Sequence, residues 1–109
     1  MPSINIYTNR ERVMSLEQVL PELRGFAAQE LSCGSRRLSS DEISLRVIVP
    51  DSSLQIADTE LEIKAHSYPE RVEKQDVICK TIKDYVHKIC PSAGSLYVWL
   101  QLSELGHSA

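Results

Sequence analysis

The chain has no cluster of cysteines, no glycine-rich loop, no basic stripe and no long apolar run. Each absence excludes a class of protein. Cys33, Cys79 and Cys90 contain no CxxC pair, and His66, His87 and His107 are scattered, so the spacing offers no metal site. Separated cysteines in odd number suit buried or surface thiols in a reducing compartment better than a disulfide framework. With 12 basic and 15 acidic residues the net charge is −3 and no block carries one sign. Nucleic acid is therefore not an expected partner. The apolar runs fall far short of the ~20 residues that a bilayer-spanning helix needs, and MPSINIYTNR lacks the apolar stretch of a secretory signal. The expectation is a soluble, cytoplasmic protein with no membrane partner. No Ser/His/Asp arrangement and no phosphate-cradling glycine loop stands out.

What is present is the composition of an ordinary globular domain, 42% hydrophobic and 25% charged over 109 residues. That length suits a single domain spanning 1–109. Residues 3–8, 43–49, 60–67 and 95–102 alternate with period two, the mark of half-buried strands. One parity is apolar: Ile4 and Ile6; Ile43, Leu45, Val47 and Val49; Leu61, Ile63 and Ala65; Leu96, Val98, Leu100 and Leu102. The other parity is mixed, with Asn5, Tyr7, Arg46, Ile48, Glu62, Lys64, His66, Tyr97 and Trp99.

Two segments carry the helical period. Leu16, Val19, Leu20, Leu23, Ala27 and Leu31 form a stripe that Gly34 is expected to stop. Ser15 and Gln18 fit a capping box at its start. Pro21 suits a first turn and places the start of the regular helix near itself. A second helix is expected from about residue 70 to 89, with Ile78, Ile82, Tyr85 and Ile89 on one face, and Pro91 ends it. Residues 2–49 and 60–102 thus read as two versions of one β-α-β unit, joined by the linker at 50–58. A crossover helix makes each strand pair parallel. The predicted fold is an α/β (α+β two-layer) sandwich, two β-α-β units forming a four-stranded sheet with two helices on one face.

The uncovered face would carry Tyr7, Ile48, Tyr97 and Trp99, too much apolar surface to leave wet. Oligomerisation through the sheet would cover it. Met1-Pro2 runs directly into the first strand, and a small second residue permits removal of the initiator methionine. A proline left at the N-terminus is a secondary amine whose burial or cationic neighbours favour the neutral, proton-accepting form.

Met1-Pro2, the duplicated unit and the length together resemble the tautomerase superfamily. Within it the chain is most similar to the 5-carboxymethyl-2-hydroxymuconate isomerases, through MPSINI, ISLRVIV…LQIADTELEIKAH and VEKQD. It also resembles macrophage migration inhibitory factor in RVIVPD and GSLYVWL. The resemblance implies a homotrimer with active sites between subunits and Pro2 as the catalytic base. Arg12 stands ten residues past Pro2, where 4-oxalocrotonate tautomerase has a substrate-binding arginine. The muconate isomerases place an arginine early in the second strand, where this chain has Ser44, and Arg46 shares that face. Arg71 is the nearest match to a further arginine after the third strand. Tyr97 matches a pocket tyrosine of the inhibitory factor, and Trp99 replaces the neighbouring asparagine.

Each candidate also has a plainer reading. Arg12 and Arg71 fit solvated charges at a helix end or in a loop. Arg46 fits pairing between subunits, and Lys64, between Glu62 and His66 on one parity, fits cross-strand salt bridges. Tyr97 and Trp99 fit trimer packing. The leading expectation is an isomerase that transfers a proton along a small unsaturated α-keto or 2-hydroxy carboxylate, without cofactor or metal. Pro2 would be its base, and Arg12, Arg46, Arg71, Lys64, Tyr97 and Trp99 would line the substrate. The alternative is a non-catalytic trimeric binding protein on the same scaffold. Removal of Met1 divides the two.

Overall fold

Strict alternation of apolar residues builds four strands: β1 (Ser3–Tyr7), β2 (Ser44–Ile48), β3 (Thr59–His66) and β4 (Leu96–Ser103). They are seen in a computed structural model that describes residues 2–34, 37–51 and 53–104. Met1 and His107 lie outside the described residues. The sheet order is β2-β1-β3-β4. β1 pairs parallel with β2, β3 pairs parallel with β4, and the two pairs join antiparallel through β1 and β3. Helix α1 (Val13–Leu31) crosses between β1 and β2. A short α2 (Pro69–Glu73) and a longer α3 (Gln75–Ile89) cross between β3 and β4. This is the two-layer architecture that the periodicity predicts.

The apolar parity of the strands and the stripes of α1 and α3 close on one core. Ile4, Ile6, Leu61 and Ile63 from the two central strands are fully buried against Leu16, Leu23 and Leu31 of α1 and Ile82 and Val86 of α3. The helices meet through Phe26 and Tyr85, whose rings stack with centroids 3.8 Å apart. No helix among the described residues is long and apolar enough to cross a membrane.

The helix ends differ from the sequence expectation. Helix α1 begins at Val13 and contains Pro21, rather than starting near it. Proline removes the N–H that would bond the carbonyl of Glu17, but both residues are exposed, so water can serve that carbonyl. Ser15 lies inside the helix and caps nothing; the N-cap position is Arg12. The helix ends at Leu31, not at Gly34. Ser32 is extended, its hydroxyl donates to the Ala28 carbonyl at 2.7 Å, and the Leu38 N–H donates back to that hydroxyl at 2.9 Å. The helix expected over 70–89 is two helices that meet at Lys74, where φ is −107° and ψ is 12°.

The two ends of the sheet are braced differently. Beyond the C-terminal end of β1, Asp58 accepts the Ser95 N–H at 3.0 Å and its own N–H donates to the Ser95 hydroxyl at 2.9 Å. Gly94, beside it, has φ 78°, a conformation few residues but glycine adopt. Buried Thr8 and Thr59 share a hydroxyl contact of 3.0 Å, and Thr59 also donates to the Ala93 carbonyl at 2.7 Å. The other end, where β1 starts and β3 finishes, is tied by Arg71.

Candidate functional site

Parallel and antiparallel pairing together fix which mixed-parity side chains stand side by side on the open face. From β2 to β4 the register gives three rows. Ser44, Ser3, Lys64 and Gln101 lie nearest the start of β1. Arg46, Asn5, Glu62 and Trp99 follow. Ile48, Tyr7, Glu60 and Tyr97 lie farthest from Pro2.

Glu62 is the centre of this surface. Its Oε1 accepts from Asn5 Nδ2 at 3.0 Å and from the Tyr7 hydroxyl at 3.2 Å, and Lys64 Nζ lies 3.9 Å away. Arg46 Nη1 donates to Asn5 Oδ1 at 3.3 Å, which extends the chain of polar contacts to β2. Partial burial, and then the Glu62 carboxylate, push the Tyr7 phenol above its ordinary value. The phenol therefore stays a donor throughout the physiological range. Lys64 pairs with Glu62 of its own strand, not across strands as the sequence suggests, because residues two apart share a face. Tyr97 and Trp99 are likewise two apart on β4, with ring centroids 5.6 Å apart. Tyr7, Glu60, Glu62 and Trp99, with the linker residues Pro50, Ser53 and Gln55, enclose a shallow cavity of about 280 Å³.

Pro2 stands immediately before β1 and is buried; its carbonyl accepts the Ser44 N–H at 3.2 Å. Lys64 faces its neighbour Ser3 and is exposed, so it is the candidate cation closest to Pro2 in register. Arg46 is one row farther along. Tyr97 lies five residues along the strand direction and two strands away. That is about 17 Å along the strands at ~3.3 Å per residue, so one protomer does not bring Tyr97 to Pro2.

The other two arginines are occupied within the fold. Arg12 lies past the opposite end of β1, where Nη1 donates to the Ser92 carbonyl at 3.0 Å and Nη2 lies 3.8 Å from Asp58. It braces the start of α1 against the loop before β4. Arg71 lies at the Pro2 end but is only 3% exposed, so a solvated charge is the wrong description. Its Nε donates to the Leu31 carbonyl at 2.9 Å and Nη1 to the His66 carbonyl at 2.8 Å, and its guanidinium lies over the Tyr68 ring at 4.9 Å. The Leu31 carbonyl is one of the last of α1, which the helix itself leaves without a partner.

Sequence reasoning missed Asn5 and Glu62, whose pairing depends on the β1–β3 register between the two units. It also passed over Arg24, a charge on α1 that looks solvated but donates from Nε to the Ile43 carbonyl at 3.0 Å. Among the described residues no group of three or more His, Cys, Asp or Glu side chains is placed to hold a metal ion.

No family model matches the sequence, and no curated protein matches it. Solved structures do match its shape. A Vibrio cholerae protein of unknown function superposes with a TM-score of 0.64 at 15% identity, covering 94% of this chain and 78% of the other. A macrophage migration inhibitory factor-like protein from Entamoeba histolytica gives 0.61 at 12% identity over 98% and 95%. A fused wild-type 4-OT, described as an asymmetric trimer, gives 0.60 at 10% identity over 96% and 91%. Identities this low speak for architecture alone, and the chain has the fold of the migration inhibitory factor and 4-OT structures.

Proposed function

We propose that the protein is a tautomerase-type isomerase acting on a small unsaturated α-keto or 2-hydroxy carboxylate, with Pro2 as its base. The observation that carries this reading is the position of Pro2, set directly before the first strand of a fold shared with 4-OT. Where Pro2 is the first residue of the mature chain, its nitrogen is a secondary amine. Burial and the nearby Lys64 ammonium both favour the neutral form. That amine takes the proton from one end of a dienol and returns it at the other, so the substrate isomerises with no net gain or loss of electrons or atoms. Lys64 and Arg46 offset the negative charge on the intermediate. The muconate isomerase resemblance suggests the substrate class.

The same reading includes a homotrimer. Tyr7, Ile48, Tyr97 and Trp99 share the face that no helix covers; Tyr97 is exposed and the other three are half-buried in the single chain, so covering the face would remove further apolar surface from water. The resemblance implies a trimer in which active sites lie between subunits, so that Tyr97 and Arg12 of one copy would serve Pro2 of another. Light scattering should give about 37 kDa, three copies of the 12.3 kDa chain. A monomer with readily quenched Trp99 fluorescence would overturn the assembly.

The test of the chemistry is ketonisation of phenylpyruvate or 2-hydroxymuconate by protein whose N-terminus has been verified by mass. Pro2→Ala should lower turnover at least ~100-fold; unchanged turnover would remove Pro2 as the base. The engagement of Arg12 and Arg71 within the fold favours a second reading, a trimeric binding protein without the chemistry. Retention of Met1 in the native protein, which makes the Pro2 nitrogen an amide, would decide for it.

A further inference from the structure

We propose that the hollow between Tyr7 and Trp99 on the open face binds a small organic ammonium ion. The hollow measures about 280 Å³ and has an aromatic side chain on either side. Tyr7 stands on β1 and Trp99 on β4, with β3 between them and Trp99 one row nearer Pro2. Two strand spacings of ~4.8 Å separate these walls, which leaves room for a ligand instead of a ring stack. Glu60 and Glu62 rise from β3 between them, and Pro50 and Gln55 line the linker side. Aromatic faces attract cations, and the carboxylates supply the counter-charge. An anion would be repelled here.

Each carboxylate is fixed by one oxygen and leaves the other unused. Glu60 Oε2 accepts the Ile56 N–H at 2.7 Å and the Ala57 N–H at 3.4 Å, and Glu62 Oε1 accepts from Asn5 and Tyr7. Glu60 Oε1 and Glu62 Oε2 have no hydrogen-bond partner among the described residues. The rim is braced as well. Gln55 Nε2 donates to the Tyr7 carbonyl at 3.3 Å and to the Ala57 carbonyl at 3.2 Å, so binding needs little ordering of the linker. Lys64 Nζ, 3.9 Å from Glu62 Oε1, offsets part of the charge from the row nearer Pro2, but its side chain is exposed and screened by water. Glu60 has no ion pair among the described residues. A methylated ammonium fits better than a metal ion. Its apolar surface matches the rings, whereas a hard cation would want more oxygens than these two carboxylates offer.

The site does not rest on proton transfer at Pro2. Its linker rim lies at the end of the sheet, where Ser53 is exposed, and offers an entry apart from the middle of the face. Trp99 is the chain's only tryptophan, so its fluorescence reports on the hollow directly. The test titrates the full-length protein, in its native assembly, with tetramethylammonium chloride. Sodium chloride controls for ionic strength and tert-butyl alcohol is the uncharged control of similar size. A saturable change in Trp99 emission is expected with tetramethylammonium only. Glu60→Gln keeps an oxygen for the Ile56 N–H while removing the charge, and should weaken binding about 5-fold. Glu62→Gln should weaken it similarly, and Lys64→Met should tighten it about 2-fold. If Glu62→Gln fails to fold, Glu60→Gln carries the test. An equal response to either control, no response at all, or wild-type affinity in Glu60→Gln would overturn the site. The assembly is judged by mass and the isomerase chemistry by Pro2→Ala, so failure of either is distinct from failure of this site.

Discussion

The two β-α-β units follow the same path but finish their outer strands differently. In the second unit, the edge of β4 is covered: Gln75 at the start of α3 donates to the Leu100 carbonyl at 3.0 Å. In the first, the edge of β2 is covered at Ile43 by Arg24, and the strand beyond borders an open cleft. The approach to the two strands differs as well. Gly94 reaches β4 with φ 78°, whereas Ile43 reaches β2 with φ −109°. Duplicating a fold duplicates its core, but each unit closes its edge with its own polar residues. The α3 side chain reaches the middle of β4, whereas Arg24 reaches only the residue before β2 and leaves the strand itself bordering a cleft.

Breaking the closed unit should have the largest effect. A methyl group on Gly94 would meet Asp58 Oδ2 at 2.5 Å and Asp58 Cβ at 2.9 Å, in a backbone conformation that disfavours any side chain. Asp58 cannot readily yield, because its carboxylate and its N–H are both bonded to Ser95. Gly94→Ala should cost about 2–3 kcal/mol, seen as a lower midpoint in thermal or urea unfolding. A variant as stable as the parent would mean that the approach to β4 is not constrained in this way.

A smaller effect is expected where α3 covers the β4 edge. Gln75→Ala leaves the Leu100 carbonyl without its side-chain donor and should cost about 1 kcal/mol in urea unfolding. The change makes the second unit's edge more like the first's. If stability does not fall, the closure of β4 rests on packing alone, and the contrast between the units is weaker than the hydrogen bond suggests.

The layer architecture was legible because burial imposes a period on the sequence. Ile4, Ile6, Leu61 and Ile63 show parity, and Leu23, Leu31 and Ile82 show the helical stripe, without knowledge of any partner. Helix ends were less legible. Pro21 marks the start of a helix only where its missing bond matters, and on the solvent side of α1 it does not. The candidate site was legible in composition but not in grouping. Arg12, Arg46 and Arg71 looked equivalent as charges, yet Arg12 bonds Ser92, Arg46 bonds Asn5, and Arg71 is buried on two carbonyls. Those assignments depend on which chain ends meet in space, which no local period encodes.

The smallest effect concerns acid. The Ser95 N–H, then the Ser95 hydroxyl and last the charge of Arg12 hold the Asp58 carboxyl below its ordinary value. In the first unit the Ser39 hydroxyl does the same for Asp41. A carboxyl lowered in the folded state binds its proton more readily once the chain unfolds. Its contribution is therefore present above the unfolded value, near ~3.9, and is lost as pH falls through the folded one. Asp58 joins the two units and Asp41 only closes a turn, but both are exposed, so each contribution is small. Asp58→Asn preserves an oxygen to accept the Ser95 N–H while removing the titration. Urea midpoints measured between pH 6 and pH 2.5 should fall less steeply for Asp58→Asn than for the parent. Asp41→Asn should flatten the same limb without changing the joint between the units. Parallel slopes in parent and Asp58→Asn would show that the Ser95 contacts do not distinguish the charged carboxylate from its neutral form.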